Sequence, residues 1–232
     1  MAKELRTPNR LLSRLSPDEF GLLGPYLEAV DLPVRKQLEN RNKVIEHIYF
    51  IEHGIASMVA DGTGHSIEVG LIGREGMTGL AVVMGTDRTP HDTFMQVAGD
   101  GQRISSAMLR GAIEQSPALH RSFLRYGHAF VIQTAQTALA NGRSKIEERL
   151  ARWLLMAQNR LDSNEVPLTH EFLSVMLGVR RPGVTVTLDL LEKGGLIRTK
   201  RGAVTIVSRN GLRKISNGAY GAAEAEFQRL FG

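Results

Sequence analysis

Arg180 and Arg181 stand side by side at the start of a segment with helical spacing, and Thr185 follows one turn on. An arginine fork can chelate guanine O6 and N7 through two parallel N–H bonds. A threonine can touch a base edge or a thymine methyl group. Gly183, between them, has no side chain and permits close approach of the backbone. Lys200 and Arg201 precede a glycine further on, and Thr169 and the backbone of His170 open a short helix upstream. These four suit phosphate oxygens, whose contacts position a protein on a duplex without specifying sequence. The chemistry on offer is recognition of nucleic acid.

Those side chains are useful only if two helices hold them, and Leu168 to Ile197 carry that arrangement. Thr169 caps a short helix through about Met176. Gly178 falls in the turn, where a positive φ is easiest. A second helix is predicted from about Arg180 to Lys193, with Pro182 in its permitted first turn and Gly194-Gly195 at its end. With Gly178 as the ninth position of a helix-turn-helix, Leu173, Leu177, Val179 and Val184 fill its apolar fourth, eighth, tenth and fifteenth positions. Ser174 is the small fifth residue that lets the helices approach. Leu196-Ile197-Arg198-Thr199 and Ala203-Val204-Thr205-Ile206-Val207 read as strands around Lys200-Arg201-Gly202, a hairpin that makes a wing. In this geometry the second helix points its N-terminal residues at base edges in the major groove. Arg180, Arg181, Gly183 and Thr185 then face bases, and Thr169, His170, Lys200 and Arg201 face phosphates. Adjacent helical residues diverge by about 100°, so one of the two arginines can take a phosphate instead.

Charge agrees with that placement. Residues 143–232 hold fifteen Lys and Arg against nine Asp and Glu, whereas residues 1–142 hold fourteen against fifteen. The basic surplus is confined to the region of the motif, as a polyanion partner requires. Cysteine is absent, which excludes disulfides, thiolate zinc and cysteine-ligated iron–sulfur clusters. His47, His53, His65, His91, His120, His128 and His170 form no HxxxH or HExxH pair, so they read as isolated residues and no metal is expected. There is no run of eighteen apolar residues and no apolar core of signal-peptide length, so a cytoplasmic protein with no membrane partner is expected. No P-loop, GxGxxG or serine elbow sits at a strand–helix junction, and an enzyme is not expected.

The remaining chain supplies two further kinds of element. Residues 5–30 read as short amphipathic helices, with Ser16-Pro17-Asp18-Glu19 as a helix start. From Asp31 to about Ser105, stretches such as His47-Ile48-Tyr49-Phe50-Ile51 and Ile55-Ala56-Ser57-Met58-Val59-Ala60 read as short strands. Gly54, Asp61-Gly62 and Gly64 punctuate them. From Ser106 to Arg160 the pattern is helical. Ser116-Pro117 opens a long helix to about Ala140, along which Leu119, Phe123, Tyr126, Phe130, Gln133 and Thr137 recur in steps of four and three. Such a seam can pair two copies of the chain or pack on its own domain. Asn141-Gly142 is predicted to break the helix as a hinge. Ser144, with Glu147 three residues on, is predicted to start another through a capping box, burying Leu150, Trp153, Leu154 and Ala157. The fold class is α+β: an antiparallel β-roll or jelly-roll over 1–115, a long helix and hinge over 116–142, and a winged helix-turn-helix over 143–232.

On these residues the chain resembles the Crp/Fnr family of bacterial transcription regulators over nearly its whole length. His47-Ile48-Tyr49-Phe50-Ile51-Glu52-His53-Gly54 and Gly73-Arg74-Glu75-Gly76-Met77 resemble the family's cyclic-nucleotide-binding-like β-roll. The long helix resembles its dimerisation helix, and 168–207 its winged helix-turn-helix. The resemblance implies a homodimer on a roughly palindromic double-stranded DNA operator, with half-sites about one turn apart. It also implies an effector in the β-roll that changes the angle between domains, and RNA polymerase as a partner if the protein activates transcription.

The effector pocket departs from the pattern. Members that bind cyclic AMP carry Gly-Glu for the ribose, then Arg-Ser for the cyclic phosphate at the start of a strand. Here Gly73, Glu75 and Gly76 offer a carboxylate for a ribose hydroxyl. With Val97-Ala98-Gly99-Asp100 in register, however, Asp92-Thr93 fall where Arg-Ser should be, and a carboxylate repels a phosphate. The nearest pair, Arg88-Thr89, lies a few residues early. Cyclic-nucleotide binding is therefore not expected, although a loop insertion could bring Arg88 in. The family's iron–sulfur sensors are excluded by the lack of cysteine. Haem needs an axial histidine and a second ligand, and nothing marks one histidine for that role. An unrelated small ligand, or none, remains. The competing reading is a sensing module, for a cyclic nucleotide or another small ligand, whose C-terminal domain contacts a protein instead of DNA.

Overall fold

The computed structural model describes residues 7–62 and 65–232. The helical reading of residues 5 and 6, the Gly64 turn, and the side chains of His65 and His170 lie outside the described part. The chain divides into two compact units: Met1–Met58 with Ile72–His128, and Val59–Leu71 with Ala129–Gly232.

The first unit opens with the helix α1 (Pro17–Leu23). Ser16 Oγ accepts the Glu19 N–H at 3.2 Å while Glu19 Oε2 accepts the Ser16 N–H at 2.8 Å, a closed capping box with Pro17 at the first helical position. Helical structure ends at Tyr26. Residues 28–30, predicted helical, instead begin the strand β1 (Glu28–Leu32), because their backbone pairs with a distant strand, and tertiary pairing outweighs local propensity.

Strands β2 (Gln37–Glu39), β3 (His47–Ile51), β4 (Ile55–Gly62), β5 (His65–Ile72), β6 (Asp92–Val97) and β7 (Gly99–Ser105) complete the predicted β-region. The order is β1-β7-β3 in one sheet and β2-β6-β4-β5 in the other. The first sheet is antiparallel throughout. Ile48, Phe50, Ile51, Ile55, Ile72, Met77, Met95 and Ile104 are buried to within 1% of full coverage, each stabilising the fold by about 1.5–3 kcal/mol. Gly54 has φ +87°, and a Cβ there would lie 2.5 Å from the Val97 carbonyl. Glycine is thus required twice over at the end of the β3 turn. Buried Asn9 donates to the carbonyls of Ile51 and Gly76 and accepts from Leu11 and Leu12 N–H. Its side chain thereby fastens the N-terminal segment to the roll with both its amide nitrogen and its oxygen satisfied. The short helix α2 (Leu80–Val83) and α3 (Ser106–Gln115) follow in their turn.

The helix α4 (Pro117–Arg143) runs out of the first unit into the second. Its seam of Leu119, Phe123, Tyr126, Phe130 and Gln133 is buried within the chain itself, so of the two roles open to it, packing at home is the one observed. Phe123 lies against Phe50, ring centroids 6.0 Å apart. Gly76 sits directly beneath the Tyr126 hydroxyl, where a Cβ would collide.

Asn141-Gly142 does not break α4. The Ser144 N–H still bonds to the Ala140 carbonyl at 2.9 Å, so Ser144 closes α4 instead of capping a new helix. The next helix, α5 (Ile146–Leu161), has Lys145 at its N-cap, and Glu148, not Glu147, accepts the Lys145 N–H at 3.0 Å. Gly142 lies in the last turn of α4, which ends at Arg143.

In the second unit α5 is the central element. Leu150, Trp153, Leu154 and Ala157 are buried as predicted, and Ala151, Leu155 and Met156 are buried too. Strand β5 is fixed to α5 and to the end of α4 by polar contacts. Trp153 Nε1 donates to Glu68 Oε1 at 2.8 Å. Gln133 takes both backbone groups of Leu71, accepting its N–H at 2.7 Å and donating to its carbonyl at 3.1 Å. An amide side chain thereby satisfies both backbone groups as a neighbouring strand would. Breaking either link leaves a buried group unmet, at about 1–3 kcal/mol. Burial pushes the Arg152 guanidinium below its ordinary range, with Glu224 and Glu68 opposing that shift.

Candidate nucleic-acid interface

Helices α6 (His170–Leu177) and α7 (Arg181–Lys193) follow β8 (Glu165–Pro167) in the second unit. Thr169 Oγ1 accepts the Phe172 N–H at 3.3 Å, the cap its position predicts. The His170 backbone begins α6. Gly178 ends α6 in the left-handed region, φ +59° and ψ 36°. A Cβ at Gly178 would also lie 3.0 Å from Ile67 Cδ1, so strain and packing both demand glycine. Arg149 Nη2 donates to the Leu177 carbonyl, holding the end of α6 to α5.

The apolar positions of the motif face inward. Leu173, Leu177, Val184, Leu188 and Leu191 are at most 4% exposed. Ser174 and Val179 are half-buried. Thr187, which the sequence does not single out, is buried and returns its hydroxyl to the Gly183 carbonyl at 2.7 Å. Buried hydroxyls need such a partner.

Arg180 is the N-cap of α7, with extended φ −72° and ψ 153°, and Arg181 is the first helical residue. Pro182 follows in the first turn, where it has no intrahelical N–H to lose. Arg180, Arg181 and Thr185 are exposed. The Thr185 hydroxyl donates to the Arg181 carbonyl at 3.3 Å. Gly183 is half-buried, and a Cβ there would meet only Val179 at 3.8 Å, an ordinary contact. The fold does not demand glycine at 183, so what its absent side chain provides is room on the outer face. The positive end of the helix dipole adds to the two guanidinium charges there.

Strands β9 (Ile197–Lys200) and β10 (Ala203–Ile206) form the wing, joined by a two-residue turn with Gly202 at φ +77°. Strand β8 pairs with the other side of β10. Arg201 is exposed at the tip. Lys200 is exposed too, but its Nζ lies 2.6 Å from Glu165 Oε2, so it would have to trade a carboxylate for a phosphate.

A contact absent from the sequence reading sets the wing against α7. Glu192 accepts both the N–H and the hydroxyl of Thr199, each at 2.7 Å. These bonds hold the Glu192 carboxyl below the usual range. A depressed value means that the stabilisation is complete above the ordinary glutamate value, about pH 4.3, and is lost as pH falls through the lower one. Glu192→Gln should therefore be less stable than the parent at neutral pH, and the two unfolding curves should converge as the pH is lowered below about 4. A difference independent of pH would assign the effect to something other than this carboxylate.

The residues expected to bind an effector lie in the first unit. Glu75 Oε1 accepts the Gly73 N–H at 3.3 Å across the turn that ends at Gly76. Arg88 is exposed and pairs with its neighbour Asp87, Nε to Oδ1 3.2 Å. Thr89 is used by the loop itself, accepting the Asn42 N–H on its carbonyl and the His91 N–H on its hydroxyl. Asp92 and Thr93 do begin β6. Thr93 donates to Glu39 Oε2 at 2.5 Å, and the Gly79 N–H donates to Glu39 Oε1 at 2.7 Å. Burial raises the Glu39 pKa, against the lowering effect of those bonds and of His91. Nothing in the local sequence announces Glu39, because its partners lie on distant segments.

Residues 148–215 match the family model described as a Crp-like helix-turn-helix domain. Curated protein sequences give no match. Several solved structures share the fold. FixK2 from Bradyrhizobium japonicum superposes with a TM-score of 0.71 at 14% identity, over 82% of this chain and 96% of that one. The c-di-GMP responsive global regulator CLP from Xanthomonas campestris gives 0.68 at 14% identity, over 83% and 100%. A CRP-family transcriptional regulator from Thermus thermophilus gives 0.67 at 18% identity, over 84% and 99%. Residues 148–215 thus form a Crp-like helix-turn-helix domain, and the chain shares its fold with these solved structures.

Proposed function

We propose that the protein regulates transcription as a cytoplasmic homodimer on a roughly palindromic operator, reading each half-site with the N-terminal end of α7. The observation that carries this reading is the exposed Arg180-Arg181 pair at that helix start, with Gly183 leaving space beside it. Sensing is assigned to residues 1–115, self-association to 116–142 and DNA binding to 143–232. RNA polymerase is the further partner if the protein activates.

The reading includes no cyclic-nucleotide clamp. Asp92 at the start of β6 and Glu39 against Thr93 place two carboxylates where a cyclic phosphate would bind, and Arg41 beside them is already paired with Asp92, Nε to Oδ2 3.7 Å. The neighbouring face of the roll is packed by Phe123 and by Tyr126 over Gly76. Control by an unrelated small ligand, or by cellular abundance alone, fits these residues better.

Binding to duplex DNA across a range of salt concentrations tests the proposal. A dimer making six to ten phosphate contacts loses about 10³–10⁵ in affinity between 50 and 200 mM salt. Affinity that is absent, or flat with salt, would favour the competing reading of a sensor whose C-terminal domain grips a protein.

A further inference from the structure

Val186 is, among the described residues, the most exposed large apolar side chain, at 66%. It lies on the outer face of α7, one turn beyond Pro182 and one turn before Leu190, which is 49% exposed. The core face of the helix is already supplied by Val184, Leu188 and Leu191. A β-branched residue on an exposed helix surface gains no packing and is a poorer helix former than alanine or lysine. The fold therefore gives Val186 nothing to do.

The neighbours narrow what it could meet. Between Arg181 and Lys193 the exposed residues of α7 are Pro182, Thr185, Val186, Asp189 and Leu190. None is an amide that could pair with adenine N6 and N7, and none is a second cation for guanine. The Thr185 hydroxyl already donates to the helix backbone. Asp189, one turn further in, carries the charge that a phosphate repels and marks how deep the helix can go. In the major groove the feature an apolar surface can read is the C5-methyl group of thymine. Gly183, on the turn before, lets the helix approach that closely.

We propose that Val186 is a specificity-determining residue that reads a thymine methyl group in each half-site, beside the guanine read by arginine. This rests on α7 being the helix that enters the groove. The surface is continuous with the arginines of that interface, which favours DNA over another protein as its occupant.

The test uses the full-length protein and a duplex selected by it from a random pool. Each thymine of one half-site is replaced in turn by deoxyuridine, which removes only the methyl. The parent protein should lose about fourfold in affinity at one thymine, the worth of one buried methyl group. In Val186→Ala that dT-to-dU ratio should fall to about one, whereas Arg181→Ala should keep it while binding more weakly overall. Equal affinity for dU and dT at every position in the parent, or a ratio that survives Val186→Ala, overturns the proposal. So does a change in self-association of Val186→Ala with the ratio intact, which would make the patch a protein contact. If no duplex is selected at all, the entry of α7 into the groove is what fails.

Discussion

Replacing Arg181 with alanine should weaken operator binding by about 1–3 kcal/mol per half-site, the worth of a bidentate arginine–guanine contact. The same change should flatten the preference at one base pair, because Arg181 is the first residue inside α7 and lies one turn from Thr185 on the same exposed stretch. Arg180 precedes the helix in extended conformation. Arg180→Ala should therefore weaken binding alike on all sequences and reduce the salt slope by about one, as loss of a phosphate contact does. Both side chains are exposed, so neither substitution should change stability by more than about 0.5 kcal/mol. Selection from random duplexes, followed by affinity against salt for each variant, separates the two roles. Unchanged operator binding by Arg181→Ala at every salt concentration would mean that α7 is not the reading helix.

The helix-turn-helix is legible in the sequence because its determinants are local. Gly178 must turn, Leu173 and Val184 must meet, and Thr169 must cap, all within a few residues of one another. What escaped the sequence are pairings between distant segments. Glu39 meets Thr93 across 54 residues, Gln133 meets Leu71 across 62, and Trp153 meets Glu68 across 85. No spacing rule reaches that far. Local signals also misplaced boundaries, at residues 28–30 and around Ser144. Asn141-Gly142 has the composition of a break, but helical bonding through Ser144 continues across it. The polar end of the α4 seam, puzzling as a coiled-coil feature, has a simple cause: Gln133 is there to bond the β5 backbone. Periodicity revealed that α4 has an apolar face but not what would cover it.

In the proposed homodimer, charging the other face of α4 should separate the two copies. The seam read from the sequence is consumed within the chain, yet a second stripe runs parallel to it, five residues along and about 140° around the helix. Leu124, His128, Val131, Ala135, Ala138 and Gly142 recur in the same steps of four and three and are exposed. Leu124 is 40% and Val131 53% exposed, with Leu139 beside the stripe at 56%. Leu124 and Val131, seven residues apart and left in water with Leu139 beside them, suit a twofold contact in which each residue faces its own copy or a near neighbour. The small residues toward Gly142 let the two backbones come close. In Val131→Glu two carboxylates would be brought together near such an axis, a repulsion of several kcal/mol, or about 100-fold or more in the dimer dissociation constant. The protomer should fold as before, since Val131 is exposed in it. Sedimentation should then show a monomer at concentrations where the parent is a dimer, and affinity for the full operator should drop toward that for a half-site. A variant that stays dimeric would move the self-association surface elsewhere on the chain.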